Sequence, residues 1–361
     1  MLLTVDAPLG LDVILAELPH NFRLLAQQMG LIRPPEQQPS AKIKNIDDIL
    51  RLVFQYVGLD LSLKTTTAMA AAAGAVTLSS VALHKWMRKL GPYLAALLSQ
   101  KLCVAARFDA PRWAGYEVVV ADGSVITRPG SEGVDARLFY ALRLSDFALL
   151  DYRVGTPRDG ESLRLLPVRA GQLWVVDRAY ANPPGIAALV DAQGDVLVRH
   201  NRGALPLFDT HGQPFDVLHH LRALQTPGKI SAWSVRVHPD DHAPIAGRLC
   251  AVRLPEDKAE KARKRLRRER GPDFSAESLE AASWLMVFTT VPRSRLTASR
   301  LLRLYRLRWQ VELEIKRDKS IGHVDALPVF REDTIAAWLY TKLLLQTIAR
   351  TLVSPAVSFP P

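Results

Sequence analysis

Three carboxylates stand where hard-oxygen chemistry could be done: Asp122, Asp177 and Glu312. No Cys or His lies at ligand spacing from them, so an oxygen-only set favours Mg²⁺ or Mn²⁺ over zinc or copper. Two such ions about 3.5–4 Å apart can activate an attacking oxygen and stabilise the leaving one in a phosphoryl displacement. Asp122, Asp177 and Glu312 would suit two Mg²⁺ ions, with Mn²⁺ able to substitute. Glu312 also has company. At 100° per residue, Tyr305, Arg308, Glu312 and Lys319 fall within an arc about 60° wide. A phenol, two cations and a carboxylate then share one stripe.

The elements that would carry these groups can be read from periodicity. Residues 301–319, LLRLYRLRWQVELEIKRDK, read as one helix with Leu304, Val311 and Ile315 on an adjoining apolar stripe. The same pattern also describes an amphipathic surface helix with an Arg308–Glu312 pair worth a few tenths of a kcal/mol. Asp122 is expected at the tip of the β-branched run YEVVVADGSVIT, and Asp177 at the end of the apolar strand in QLWVVDRAYAN. Either aspartate could be a turn residue. Open α/β sheets nevertheless bind ligands at the carboxyl ends of their strands. ARLFYALRLSDFALLDYRVG reads as two more strands, ESLRLLPVRA as a short helix, PGIAALVDAQG as a helix with Pro in its first turn, and DVLVRHN as a strand.

Bulk properties narrow the partner. The 361-residue chain carries a formal net charge of +11, which points to a polyanion, nucleic acid first. No segment has the length of a transmembrane helix, and the opening stretch lacks the basic start of a signal peptide. Cys103 and Cys250 stand alone and read as buried thiols in a reducing cytoplasm, which supports neither a zinc site nor a disulfide framework. There is no phosphate-binding GxxxxGK[ST] loop and no GxSxG elbow. Residues up to about Ser40, rich in Pro and Gln around PPEQQPS, read as a helical tail plus linker. Beyond it IDDILRLVFQYVG is a helix with Asp47 and Asp48 in its first turn. Two short helices meeting near Gly74, the second capped by Ser79 or Ser80 and carrying His84, Lys85, Arg88 and Lys89, fit a helix-turn-helix. A plain helical bundle fits as well.

Together these residues resemble a known family. Tyr305, Arg308, Glu312 and Lys319 occupy all four positions of the Tyr-x2-Arg-x3-Glu-x6-Lys signature of bacterial insertion-sequence transposases of the DDE group, insertion sequence 4 family. Asp122 in VVVADGS and Asp177 in LWVVDRAYAN match the family's two aspartates, and GESLRLLP and VRHN around them are similar too. The resemblance spans roughly residues 45–350.

It implies an α/β, RNase H-like catalytic core interrupted by a β-rich insertion domain and preceded by an α-helical N-terminal domain. The expected division is 1–40 tail and linker; 41–108 helical, with a DNA-binding role; 109–200 first part of the core; 201–291 insertion; 292–361 second part of the core with the signature helix and a C-terminal helix. Asp177 and Glu312 are 135 residues apart, too far for a simple strand-to-helix connection. The excess holds the strand-like runs ISAWSVRV, GRLCAVRL and ASWLMVFTTV and the basic helix PEDKAEKARKRLRRERG. In that helix Lys264, Arg265 and Arg268 are expected to contact phosphates, against a solvated face with Glu–Lys pairs as the alternative.

The activity implied is cleavage at the element's ends and strand transfer into target DNA, through a hairpin. Tyr305, Arg308 and Lys319 would grip the DNA end. Trp284 would stack on a flipped base, although tryptophans in such strands are usually core residues. Expected partners are double-stranded DNA and a second copy in a synaptic homodimer, with no membrane, in the bacterial cytoplasm and associated with the nucleoid. A nuclease of the same fold and a degenerate element kept as a DNA-binding protein are the alternatives. The C-terminus, ending SPAVSFPP, reads as shorter than that of many family members.

Overall fold

The computed structural model describes residues 11–33, 43, 45–106, 112–128, 130–224, 226–270, 275–328 and 332–353. Five helices come first: α1 (Leu11–Ala16), α2 (Phe22–Gln28), α3 (Ile46–Gly58), α4 (Leu63–Ala72) and α5 (Ser80–Ala106). Strands β1 (Glu117–Ile126), β2 (Ala136–Arg143), β3 (Leu149–Gly155) and β4 (Gln172–Val176) follow, then α6 (Pro183–Asp191) and β5 (Asp195–Arg199). Next are α7 (Val217–Arg222), β6 (Ile230–Val237), β7 (Ile245–Arg253), α8 (Glu256–Arg270), α9 (Ala276–Ala281) and β8 (Trp284–Thr289). The last described elements are α10 (Ala298–Tyr305), α11 (Trp309–Ser320) and α12 (Glu332–Val353).

All eight strands lie in one sheet, in the order β3-β2-β1-β4-β5-β8-β7-β6. β1, β4 and β5 are parallel neighbours, and every other pairing is antiparallel. The five residues of β4 are all buried, as a central strand covered on both faces requires. Alternation divides the core. Val118, Val120, Leu173 and Val175 point to the face packed by α3, α5, α11 and α12. Val119, Ala121, Trp174 and Val176 point to the face covered by α6, α7 and α9.

Several expectations change here. The strands of the 201–291 segment do not form a sheet of their own. β8 pairs with β5 through Leu197↔Thr289 and Val198↔Phe288, and β7 and β6 extend the sheet from there. An open β5 edge would expose unpaired backbone groups, and β8 satisfies them. Residues 11–33, read as tail, supply Leu15, Leu18, Phe22 and Ala26 to the first core. The Tyr93 hydroxyl donates to Phe22 O at 3.0 Å. PPEQQPS and SPAVSFPP lie outside the described residues.

Cys103, expected to be buried, is exposed, and α5, which carries it, is longer than the short second helix expected. It runs for 27 residues, with Leu83, Met87, Leu90, Leu94, Leu97 and Leu98 buried. Arg88 pairs with Asp333 of α12 at 2.5 Å. Ser79 is the cap, its Oγ accepting from Ala82 N at 3.2 Å. ESLRLLPVRA yields only a 3-10 turn, Leu163–Leu165, before extended chain at Leu166; Pro167 behind it disfavours further helix. No helix among the described residues is long and apolar enough to cross a membrane.

Candidate active site

Asp122 is not at a strand tip. β1 continues beside β2 to Ile126↔Ala136, but its pairing with β4 ends at Ala121↔Val176. Asp122 therefore stands one residue past the end of the parallel pair, and Asp177 is the matching residue of the neighbouring strand. By alternation both belong to the α11 side of the sheet, with Val120 and Val175. Each carboxylate is tied to its own backbone. Asp122 Oδ1 accepts from Gly123 N at 2.9 Å, and Asp177 Oδ1 accepts from Ala179 N at 2.6 Å, capping the 3-10 turn Arg178–Tyr180.

The expected single helix is broken. Arg306–Arg308 form a 3-10 turn between α10 and α11, although no Gly or Pro interrupts this stretch. The apolar stripe survives, since Leu304, Val311 and Ile315 are buried. A 3-10 turn winds more tightly than an α-helix, so the 100° step is not constant here, yet Tyr305 still lies beside Arg308 and acts electrostatically with Asp177. Tyr305 is buried, and burial pushes its pKa up to about 12, moderated by Arg308 and Arg199.

Arg308 joins the site together. Its Nη1 donates to Asp122 Oδ2 at 3.2 Å, and its Nη2 donates to Glu312 Oε1. The Asp122 and Arg308 side chains are 16% and 15% exposed, whereas Glu312 is 41% exposed. Burial raises the Asp122 carboxyl to about 6; Arg308 opposes the shift and Asp177 and Glu312 add to it. Lys319 reaches the far end of β1, its Nζ donating to Val125 O at 2.9 Å.

α11 is held from its other side by a second polar cluster. Asp318, 2% exposed, accepts from Tyr152 at 3.0 Å and from Arg350 at 2.6 Å. Arg350 also pairs with Glu314. These bonds fix the rotation of α11 and so the direction in which Glu312 projects.

The oxygen-only donor set of Asp122, Asp177 and Glu312 suits a hard divalent cation. Among the described residues no three such groups are already closed around a common point. The guanidinium of Arg308 lies between two of them, neutralising the charge a metal ion would neutralise. By donor type the set fits a divalent ion, and Arg308 occupies the space between two of its members.

Two tryptophans differ in exposure. Trp284, at the start of β8, is 7% exposed and packs with Met286 and Phe288 in the core on the opposite face of the sheet from α11. Arg253 lies over its ring at 5.8 Å. Because β8 runs antiparallel to β5, Trp284 lies at the carboxyl end of the parallel strands, on the face opposite Asp122 and Asp177. Trp309, beside Arg308 and passed over in the sequence, is 49% exposed. On α8, Lys264 pairs with Glu260 at 3.0 Å, the i,i+4 pattern of a solvated face. Arg265 and Arg268 are exposed on the same helix.

A fourth carboxylate also went unread. Burial raises Glu161 to about 7, with Asp122 and Asp177 adding to the shift and Arg137 and Arg308 opposing it. The sequence signal was the Gly after Asp122, whose meaning depends on what packs against it.

Residues 113–348 match the family described as the transposase DDE domain. The chain belongs to this family. It is 31% identical over 359 residues to a putative transposase InsL for insertion sequence element IS186A from Escherichia coli K12, covering 94% of this chain and 96% of the relative. It is likewise 31% identical, with the same coverage of each chain, to the transposase for insertion sequence element IS421 from Escherichia coli. These relatives agree with the insertion sequence 4 group. The protein is a DDE transposase, and family membership implies that β3-β2-β1-β4-β5 is an RNase H-like core.

Proposed function

We propose that this DDE transposase cuts DNA at its element's ends with Asp122, Asp177 and Glu312 holding two Mg²⁺ ions, and then joins those ends to target DNA. One observation carries the reading: two aspartates sit at adjacent strand positions on one face, and Arg308 bridges the first to the helix-borne Glu312. Bound ions supply charge neutralisation at the scissile phosphate and lower the pKa of the attacking oxygen. The chain's own residues do the rest. Asp122 and Asp177 fix donor positions from a rigid sheet. Glu312 approaches from α11, which the Asp318–Arg350 cluster orients. Arg308 and Lys319 present permanent cations to a DNA phosphate. The net charge of +11 draws the polyanion in, with Lys264, Arg265 and Arg268 contributing on α8. Joining two ends to one target calls for two active sites, hence a pair of protomers.

Strand transfer is the discriminating assay. Pre-cut ends with free 3′-hydroxyls, incubated with the protein, Mg²⁺ and a supercoiled target, are expected to give covalently joined product. Degradation of the ends without joining would instead identify a nuclease of this fold.

We infer that base stacking falls to Trp309, a reading supported by its exposure and by the burial of Trp284. Base–aromatic stacking contributes about 1–3 kcal/mol per base, so Trp309→Ala is expected to weaken end binding by about ten- to a hundredfold at unchanged melting temperature. The fluorescence of 2-aminopurine at the terminal positions should fall on binding to the wild type and not to the variant. Trp284→Ala should lower the melting temperature while leaving the fluorescence response of the folded fraction intact. The reverse assignment of these two phenotypes would restore Trp284 to the role.

A further inference from the structure

We propose that Glu161 is a fourth carboxylate of the cation site, reaching it through the gap left by Gly123, with the Tyr180 hydroxyl beside it. This rests on the reading of Asp122, Asp177 and Glu312 as cation ligands and adds to it.

The placement begins in the backbone. After β3 the chain turns with Thr156 N donating to Asp159 Oδ2 at 2.8 Å. Ser162 then caps the short 3-10 turn, its Oγ accepting from Arg164 N at 3.3 Å, and Leu163 is buried in the second core. Glu161 is held between these two anchored turns. Its side chain lies against Gly123: a Cβ there would stand 2.7 Å from Oε1 and 3.1 Å from the carboxyl carbon of Glu161. Side chains alternate along β1, so the absent Cβ of Gly123 points away from the face that carries Asp122. Glu161 thus comes from the opposite side of the sheet, at the point where β4 has ended and no neighbouring strand blocks it. Only glycine leaves that space open.

A second feature points to a ligand at the same place. Tyr180 is 0% exposed, and its hydroxyl has no hydrogen-bond partner among the described residues. It lies on the turn that Asp177 caps, where Glu161, Asp122 and Asp177 all act on it electrostatically, Glu161 most strongly. A buried hydroxyl without a partner is costly to leave unpaired, so the position calls for a polar occupant. Charge gives the same answer. Glu161 makes no ion pair among the described residues, and Arg137 and Arg308 are the cations that act on it. Glu161 is within electrostatic reach of Asp122 and Asp177, in a region where Arg308 already serves Asp122 and Glu312. A divalent cation near Asp122, Asp177 and Glu161 balances the remainder.

The test measures Mn²⁺ binding to the full chain without DNA, by the electron paramagnetic resonance signal of free Mn²⁺. Glu161→Ala is expected to weaken binding about 10–100-fold, the effect typical of a group that supports a metal site. Gly123→Ala should do the same by displacing the Glu161 carboxyl, and should lower the melting temperature. In the double variant the shortened side chain at position 161 leaves room for the methyl group added at position 123. Its melting temperature should therefore recover, with Mn²⁺ binding no weaker than in Glu161→Ala alone. Where Glu161→Ala fails to fold, Glu161→Gln keeps the volume and removes the charge. Wild-type Mn²⁺ binding by a folded Glu161 variant, alongside lost binding in Asp122→Asn, overturns the role of Glu161 alone. Wild-type binding by Asp122→Asn overturns the underlying assignment of the cation ligands.

Discussion

Asp122→Asn is expected to lower end cleavage by about 10³-fold or more while leaving end binding within about threefold of wild type. Losing several kcal/mol of transition-state stabilisation translates into that factor. Asparagine keeps the shape of the side chain and an acceptor for Gly123 N, so the fold around it should persist. What disappears is the charge that would hold both ions. Asp177→Asn and Glu312→Gln should fall in the same class, read by denaturing gels of end-labelled duplex. Cleavage at the wild-type rate by any one of the three would remove that residue from the set of cation ligands.

The same substitution should act on stability in the opposite sense. Without a metal ion, burial and the neighbouring carboxylates raise Asp122 from 3.8 to about 6 in the folded protein. Between pH 4 and 6 the folded state then binds more protons than the unfolded chain at this position, so this contribution to stability falls as pH rises. Asparagine does not titrate. Thermal melts of metal-free Asp122→Asn should therefore decline less than wild type from pH 4 to pH 6. Inactivity combined with equal or greater stability separates a ligand from a structural carboxylate.

How far the site was legible depends on what each residue's position required. Asp122 and Asp177 drew notice because each acid follows an apolar β-branched run, which for Asp177 is the end of β4 and for Asp122 only the end of its pairing with β4, since β1 runs on to Ile126. Glu312 could be found because its spacing from Tyr305, Arg308 and Lys319 is local. Glu161 could not, because its proximity to Asp122 depends on a loop meeting a glycine across the sheet. The Trp284 and Trp309 contexts, SWLMVF and RLRWQV, are both apolar. Their fates part only when register sends Trp284 to the face with Met286 and Phe288. In β6, β7 and β8 the strand pattern was plain, but strand pattern does not say which sheet a strand joins. The break at Arg306–Arg308 left no mark in composition, since every residue there is a competent helix former. The bridge that Arg308 makes to Asp122, 186 residues away, is a long-range reason for a local irregularity.

That bridge gives the second large effect, and its sign is split. Arg308→Ala should tighten Mn²⁺ binding about tenfold or more, because no guanidinium need be displaced from between Asp122 and Glu312. It should also weaken end binding, because a cation facing the DNA phosphate is lost. Metal-free stability should fall by about 2 kcal/mol. Breaking a fully buried pair costs about 3–5 kcal/mol, and the exposure of Glu312 reduces that figure. Saturating Mn²⁺ should restore the melting temperature by supplying the missing charge. Arg308→Lys sharpens the comparison, since an ammonium keeps the charge without the planar fork that spans both carboxylates. Lysine should retain part of the end affinity while still admitting the ion more readily than arginine. If Arg308→Ala binds Mn²⁺ no more tightly than wild type, the guanidinium does not hold the ion's place. If it does bind more tightly, Arg308 neutralises the carboxylates before metal arrives and is released towards the DNA end afterwards, so that one side chain couples the two binding events.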